Sequence, residues 1–267
     1  MIGDVVGDPG LQVLEQNLPK LIKENAVDFV IVNGENAAAG FGLTDSELDR
    51  IFASGADVVT GGNHIWEKRE FWPVLDGEKP VLRPMNYPDR TVGRGWVKIE
   101  KPSPCGGLPI NWLAVNLQGR EFMKAIDCPF VSFDAFESGL NENAVILVDF
   151  HAESPREKEA LAYYLDGRVS VVAGTHTHVQ TADERILPGG TAYITDLGMT
   201  GMLDGVIGMD TKICLDRARN QVLYRMEVAA PDTKGSTRND SFQRTAVQGI
   251  IVEIDSETRK AISIKRI

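Results

Sequence analysis

Residues 169–178 read Val-Ser-Val-Val-Ala-Gly-Thr-His-Thr-His, an apolar and largely β-branched run that passes through one glycine into two histidines two residues apart. Branched aliphatic side chains suit a buried strand of a parallel sheet. The C-terminal ends of such strands are where an open α/β sheet delivers its ligand-binding groups. The same order recurs upstream: residues 56–60 lead into Gly-Gly-Asn63-His64, and residues 145–150 lead into His151-Ala-Glu153. All 4 histidines of the 267-residue chain therefore follow strand-like runs, in clusters that also hold Gly, Asn or an acid. Imidazole offers a neutral nitrogen donor near neutral pH. The pattern predicts an α/β fold that gathers a metal site at its strand ends, with hydrolysis as the associated chemistry.

Outward from these runs, the first two thirds of the chain alternate strand-like and amphipathic segments, as βα units around a mostly parallel sheet do. Helices are expected over residues 11–25, 44–53 and 67–75, and from Pro155 to Leu165. Thr44 with Glu47 three residues on forms a capping box, and Ser154 caps the helix that Pro155 opens. Strands are expected over 28–32 and 57–60. Beyond residue 96 longer β segments follow, at 96–100, 110–116, 191–195, 222–228, 247–254 and 261–267, and predict a second sheet packed on the first. Residues 101–108 read as a hairpin loop and 229–241 as a polar loop. Asp4 has only Met1, Ile2 and Gly3 before it, so its strand is expected to be short or to lack its first residues.

Composition narrows the partners. A net charge of −10 excludes an extended groove for nucleic acid, which relies on a surplus of Lys and Arg. A small anionic phosphodiester remains compatible, because bound cations reverse the field inside one pocket. No run approaches the roughly 20 apolar residues of a membrane span, and no signal-peptide pattern opens the chain. The 3 cysteines are odd in number and far apart, which fits reduced thiols in a cytoplasm and argues against a thiolate zinc site. Exposed sheet edges make a homo-oligomer an expectation as well.

The candidate ligands in chain order are Asp4, Glu35, Asn36, Asn63, His151, His176 and His178, with His64 beside Asn63. Each has an ordinary reading alone: Asp4 as a turn residue, Glu35 as a loop acid, Asn63 as a helix cap, His151 as a hydrogen-bonded core histidine. Their joint order is harder to explain that way. Imidazoles, carboxylates and an amide carbonyl together suit first-row metals. Seven donors exceed the need of one ion, whereas a carboxylate can bridge a pair of cations.

The motifs Gly-Asp-Val-Val-Gly (3–7), Asn-Gly-Glu-Asn-Ala-Ala (33–38), Gly-Asn-His-Ile-Trp (62–66), Arg-Pro-Met-Asn-Tyr-Pro (83–88), Asn-Leu-Gln-Gly-Arg (116–120), Asp-Phe-His-Ala-Glu (149–153) and the long run from Gly174 to Tyr193 resemble the YmdB-like branch of the calcineurin-like metallophosphoesterases. The resemblance covers the chain from end to end. It implies one metallophosphoesterase domain over residues 1–267, a sandwich of two mixed sheets flanked by helices (αββα). It also implies two metal ions, usually iron, with manganese or zinc as alternatives. By motif, Asp4, Glu35, Asn36 and His178 would hold the first ion, and Glu35 would bridge to a second held by Asn63, His151 and His176. A hydroxide between the ions would attack phosphorus, and His64 would be the proton donor. The implied activity is hydrolysis of cyclic nucleotides, with 2′,3′-cyclic nucleotides going to 3′-phosphates. Val5 and Val6 stand where many relatives in the superfamily carry Asp-x-His, so Asn36 takes the place of an imidazole, and Met202-Leu203-Asp204-Gly205 departs from the usual Gly-Pro-x-Asp-Ser.

Three other readings compete. A zinc amidohydrolase also uses His-x-His, but on its first strand rather than after the other ligands. A phosphomonoesterase or nucleotidase would use nearly the same ligands, and a metal-binding regulatory module would need no proton donor. Asp149, Glu153 and Asp196 are placed to orient imidazoles. Arg83, Asn86 and Arg120 are placed to meet phosphate or ribose, or to form structural salt bridges.

Overall fold

In the computed structural model the described residues are 1–103, 106, 108–140, 144–229 and 244–267. The chain runs β1 (Asp4–Val5), α1 (Gly7–Asn25), β2 (Ile31–Asn33), α2 (Asp45–Ala53) and β3 (Val58–Thr60), then a short 3-10 turn (Arg69–Phe71) leading into α3 (Trp72–Leu75). There follow β4 (Trp96–Lys101), β5 (Ile110–Gln118), α4 (Pro129–Ser138), β6 (Val145–His151), α5 (Pro155–Tyr164), β7 (Val171–Thr175), β8 (Arg185–Ile186) and β9 (Ala192–Ile194). The last elements are β10 (Met199–Met202), α6 (Thr211–Asn220), β11 (Thr245–Ala246), β12 (Ile250–Ile254) and β13 (Ala261–Arg266).

Six strands form one mixed sheet in the order β4-β5-β6-β7-β9-β8. A second sheet is assembled from pairs: β11 against β10, β10 parallel to β1, and β2 parallel to β3, with Ile2 bridging to Val32. Period-two alternation sorts their side chains into three apolar layers. Val30, Val32 and Val59 face Leu11, Leu14 and Leu18 of α1 and Leu48 and Ile51 of α2. Ile31 and Val58 face inward onto Trp112, Ala114, Val145, Leu147, Val171 and Ala173 of the six-stranded sheet. Leu113, Val115, Ile146 and Val148 face outward onto Phe133 of α4 and Leu161 and Leu165 of α5. This is the helix–sheet–sheet–helix sandwich that the resemblance implied.

The inner faces change character along the strands. Ile31 gives way to Asn33, Val58 to Thr60, Ala114 to Asn116 and Gln118, Leu147 to Asp149 and His151, and Ala173 to Thr175, all of them buried. Apolar burial closes the sandwich at one end, and a buried polar floor lies at the C-terminal end. The helix caps form as expected: Thr44 and Glu47 make the capping box, and Ser154 Oγ accepts from Glu157 N at 3.3 Å.

Two expectations need correction. Residues 222–228 form no strand; Gln221 ends α6 in the left-handed region at φ 55°, and Val222 and Leu223 run exposed beyond it. Val228 makes a single antiparallel bridge to Met209, and strand propensity without a continuous ladder does not make a strand. The helix expected at 67–75 is a 3-10 turn and one α turn, broken where Pro73 lacks an N–H. Helices α4 and α6 and strand β10 were not anticipated; the aromatic, β-branched α4 lacks a clear helical period, and the short Met-Thr-Gly-Met of β10 is held extended by pairing with β1. The expected 229–241 loop falls almost wholly outside the described residues, as does Cys105, while Cys128 and Cys214 are free thiols. Among the described residues no helix is long and apolar enough to cross a membrane.

Candidate metal centre

Asp4 opens the two-residue β1, and every other predicted donor stands at the end of a strand or in the loop that follows it. β1 supplies Asp4, the turn after β2 supplies Glu35 and Asn36, the turn after β3 supplies Asn63 and His64, β6 ends on His151, and the loop after β7 supplies His176 and His178. β1 lies so close to its neighbour that a Cβ on Gly3 would stand 2.1 Å from the Gly198 carbonyl. A Cβ on Gly62 would stand 2.2 Å from the buried His151 ring, which has no room to retreat. Only glycine at position 62 lets Asn63 lie against that imidazole.

His151 Nε2 is the focus of the arrangement. Glu35 Oε1 lies 2.9 Å from it, His176 Nδ1 3.0 Å and Asn63 Oδ1 3.1 Å. Two lone-pair nitrogens and two lone-pair oxygens crowd one point, an arrangement that a shared cation stabilises and that is otherwise repulsive unless a proton is present. Spacings of about 3 Å are those of neighbouring donors set at about 2.1 Å around one ion. The other Glu35 oxygen, Oε2, accepts the His64 backbone N–H at 2.8 Å, so this carboxylate faces two directions.

Beside this cluster lies a second. Asp4 Oδ2 accepts from His176 N at 3.3 Å, while Asp4 Oδ1 lies 3.7 Å from His178 Nε2. Asn36 Nδ2 donates to the Gly40 carbonyl at 2.9 Å, which turns Oδ1 the other way. Asp4 Oδ1 and Asn36 Oδ1 are both buried acceptors with no hydrogen-bond partner. Unsatisfied buried acceptors are costly, and a cation satisfies them. The donor set and its orphaned oxygens thus fit metal ions of the kind that the ligand chemistry suggests.

The nitrogen of each imidazole that faces away from the donors is also engaged. His151 Nδ1 lies 3.0 Å from Thr175 Oγ1, His176 Nε2 lies 3.2 Å from Glu153 Oε2, and His178 Nδ1 lies 2.9 Å from the Ile207 carbonyl. Such partners fix ring orientation and tautomer in metal sites. Glu153 therefore sits where the sequence reading placed it. Asp196 acts one step further out: it accepts from Thr177 N at 3.1 Å, between the two histidines, and from buried Lys158 Nζ at 2.7 Å. His176 and His178 both hold left-handed backbone, at φ 102° and 63°, so that loop is strained and needs the fastening.

Electrostatics follow the geometry. Burial opposes the charge on His151, but the adjoining Glu35 carboxylate outweighs it and pushes the imidazole up to about 9. Burial likewise opposes ionisation of Glu35, and the charge and hydrogen bond of His151 hold it well below the usual carboxylate range. Desolvation pushes Asp4 up to about 6 against the pull of His178. His176 is driven down to about 3 by burial and by the neighbouring His151 charge. Without metal, the proton at the focus of the cluster thus rests on His151, beside an ionised Glu35.

His64 stands apart from the donors. Its backbone touches Glu35, whereas its ring is partly exposed, has Nδ1 3.4 Å from Glu67 Oε1, and packs edge-on against Phe41 at 5.0 Å. Arg83 and Asn86 are not available to a substrate. Arg83 donates to the Gly93, Pro84 and Met85 carbonyls, and Asn86 Nδ2 to those of Gln118 and Asp127. Arg120 reaches Cys128 Sγ at 3.2 Å. Sequence reading missed Asn33, Thr60 and Thr175, whose only signal was polarity at inward-facing strand positions.

Comparison with known proteins adds to this geometry. The family model described as YmdB-like protein matches residues 1–267. A 2′,3′-cyclic-nucleotide 2′-phosphodiesterase of Bacillus subtilis is 42% identical over 100% of this chain and 94% of its own length. The crystal structure of a hypothetical protein from Thermus thermophilus superposes with a TM-score of 0.85 at 37% identity, covering 100% of this chain and 96% of that one. That of a phosphatase from Mycoplasma pneumoniae gives 0.88 at 30% identity, covering 100% and 90%.

Proposed function

The chain belongs to the YmdB-like family, and from that premise we propose that it is a dinuclear metal-dependent phosphodiesterase that opens 2′,3′-cyclic nucleotides to 3′-phosphates. The observation that carries the reading is the convergence of Glu35, Asn63 and His176 on His151 Nε2, beside the orphaned oxygens of Asp4 and Asn36. In this reading Asp4, Asn36 and His178 hold one ion, Asn63, His151 and His176 hold the other, and Glu35 serves both. Iron is the favoured metal, with manganese or zinc as alternatives. Bound there, the ions would supply Lewis acidity toward phosphoryl oxygens and bring the pKa of a bound water to about 7.

The chain's own groups do the rest. In this reading the phosphoryl group lies beside the partly exposed ring of His64. As the P–O2′ bond breaks, His64 gives a proton to the departing 2′-oxygen, an alkoxide too basic to leave readily without one. Water supplies the new P–O bond, and the products are the 2′-hydroxyl and the 3′-phosphate. With Glu67 Oε1 3.4 Å from its Nδ1, His64 would have Nε2 left to meet the substrate.

A second reading, phosphomonoester hydrolysis, is favoured by the likeness to the Mycoplasma phosphatase. Parallel assays of 2′,3′-cyclic AMP, 3′,5′-cyclic AMP, p-nitrophenyl phosphate and its bis ester separate the two. The expected result is fastest turnover of the 2′,3′-cyclic substrate, and faster hydrolysis of the monoester than of every diester would overturn it.

Metal uptake should depend on pH in a defined direction. His151 must be neutral to ligate, yet in the metal-free protein it stays protonated up to about 9. A raised pKa means that the proton competes with the metal at every pH below it, so affinity rises with pH and levels off above about 9. One competing proton weakens binding about tenfold per pH unit, or about 100-fold between pH 9 and pH 7. Calorimetric titration with Mn²⁺ in buffers of differing ionisation enthalpy measures the protons released; no release at pH 7 would contradict the assignment of His151.

A further inference from the structure

Asp149 lies on β6 two residues before His151, on the same inward face, and is 1% exposed. Both of its carboxylate oxygens are engaged. Oδ2 accepts from Asn33 Nδ2 at 3.1 Å and from Thr60 Oγ1 at 2.5 Å, and Oδ1 accepts from Thr175 Oγ1 at 2.6 Å. These partners come from β2 and β3 in one sheet and from β7 in the other, so a single carboxylate fastens the sandwich across its polar end.

Two routes lead from it to the proposed ligands. The first runs through Thr175. A hydroxyl has one proton, and when it is spent on Asp149 Oδ1 only lone pairs remain for His151 Nδ1, 3.0 Å away. His151 Nδ1 must then carry the hydrogen, and the neutral ring presents a bare Nε2 to Glu35, Asn63 and His176. The second route runs through Asn33. With its amide N–H₂ donated to Asp149, Asn33 turns Oδ1 onto the Glu35 backbone N–H at 3.2 Å and sets where that carboxylate begins.

We propose that Asp149 is a positioning residue that dictates the tautomer of His151 through Thr175 and the placement of Glu35 through Asn33, and so governs the affinity of the His151-side metal ion. The inference rests on the two-ion reading given above. It assigns to Asp149, Thr175 and Asn33 a role that neither ligation nor proton transfer covers.

The test compares the wild-type protein with Thr175→Val, Thr175→Ser and Asp149→Asn, each freed of metal and titrated with Mn²⁺ followed by electron paramagnetic resonance. Valine matches threonine in shape, so Thr175→Val removes the relay with little change in packing. The expected result is that one of two binding equilibria weakens about 10–100-fold while the other is unchanged. Thr175→Ser, which keeps the hydroxyl, should restore wild-type binding, and Asp149→Asn should weaken the equilibrium lost in Thr175→Val and, because Asn33 sets the shared Glu35, the other one as well. Two unchanged affinities in Thr175→Val, or equal weakening of both, would overturn the inference. A wild-type protein that binds fewer than two ions would overturn the two-ion reading instead, and this inference with it.

Discussion

Replacing His64 by alanine is expected to lower turnover of 2′,3′-cyclic AMP about 10²–10⁴-fold while leaving metal content unchanged. The reason is positional. The contact of residue 64 with Glu35 is made by its backbone N–H, which alanine retains, and the lost ring stands outside the cluster around His151. What disappears is the proton for the departing 2′-oxygen, worth about 3–5 kcal/mol of barrier at about 1.4 kcal/mol per decade. A diester that needs no such proton should be affected much less, so bis-p-nitrophenyl phosphate, with its good leaving group, is the control. Equal losses on both substrates would show that the ring does something other than donate a proton, and full activity on the cyclic nucleotide would remove it from the mechanism.

Lys158→Met is the second large effect, on stability rather than chemistry. Lys158 and Asp196 are each 1% exposed, with Nζ 2.7 Å from Oδ2. Removing one member of a buried pair strands the other charge and typically costs about 3–5 kcal/mol. At about 2–4 °C per kcal/mol for a chain of this size, Tm should fall by about 6–20 °C. Changing Asp196 to leucine in the same protein removes the stranded charge, and for a simple ion pair that would recover stability. Here recovery should fail, because Thr177 N and Gly198 N lose their acceptor and the histidine loop loses its anchor. A double variant as stable as wild type would show that the loop does not depend on Asp196. Differential scanning calorimetry reads both outcomes.

Both the α/β architecture and the gathering of polar side chains at one end of the strands were legible in the sequence. Glu35, Asn63, His151, His176 and His178 were legible as candidates because each follows a strand-like run, and a sheet converts that local pattern into convergence in space, whereas Asp4, with three residues before it, was legible from its Gly-Asp-Val-Val-Gly motif alone. Strands β5 and β6 were legible for a similar reason: long apolar runs buried on both faces need no partner to be recognised. β10 was not foreseen and the strand expected at 222–228 did not form, since what decides each is pairing: β10 has β1 beside it, whereas 222–228 has only the single bridge from Val228 to Met209. The relay through Thr175 was invisible as well, because a threonine in a strand is an ordinary β former until the structure shows which face it occupies.

The pairing of β1 with β10 also bears on how the protein matures. Asp4 leaves the ribosome well before the strand beside it, Met199–Met202, which is made some 195 residues later, and Ile2 further bridges to Gly249. Contacts between such distant positions carry the loop-closure penalty of the whole intervening chain and form late in folding. Asp4 therefore takes its place beside the loop of His176 and His178 only after that loop and Met199–Met202 have both been made. The side chains gathered around Asp4 and His151 are accordingly complete only in a nearly finished chain, and N-terminal fragments that stop short of Met199 should lack the arrangement.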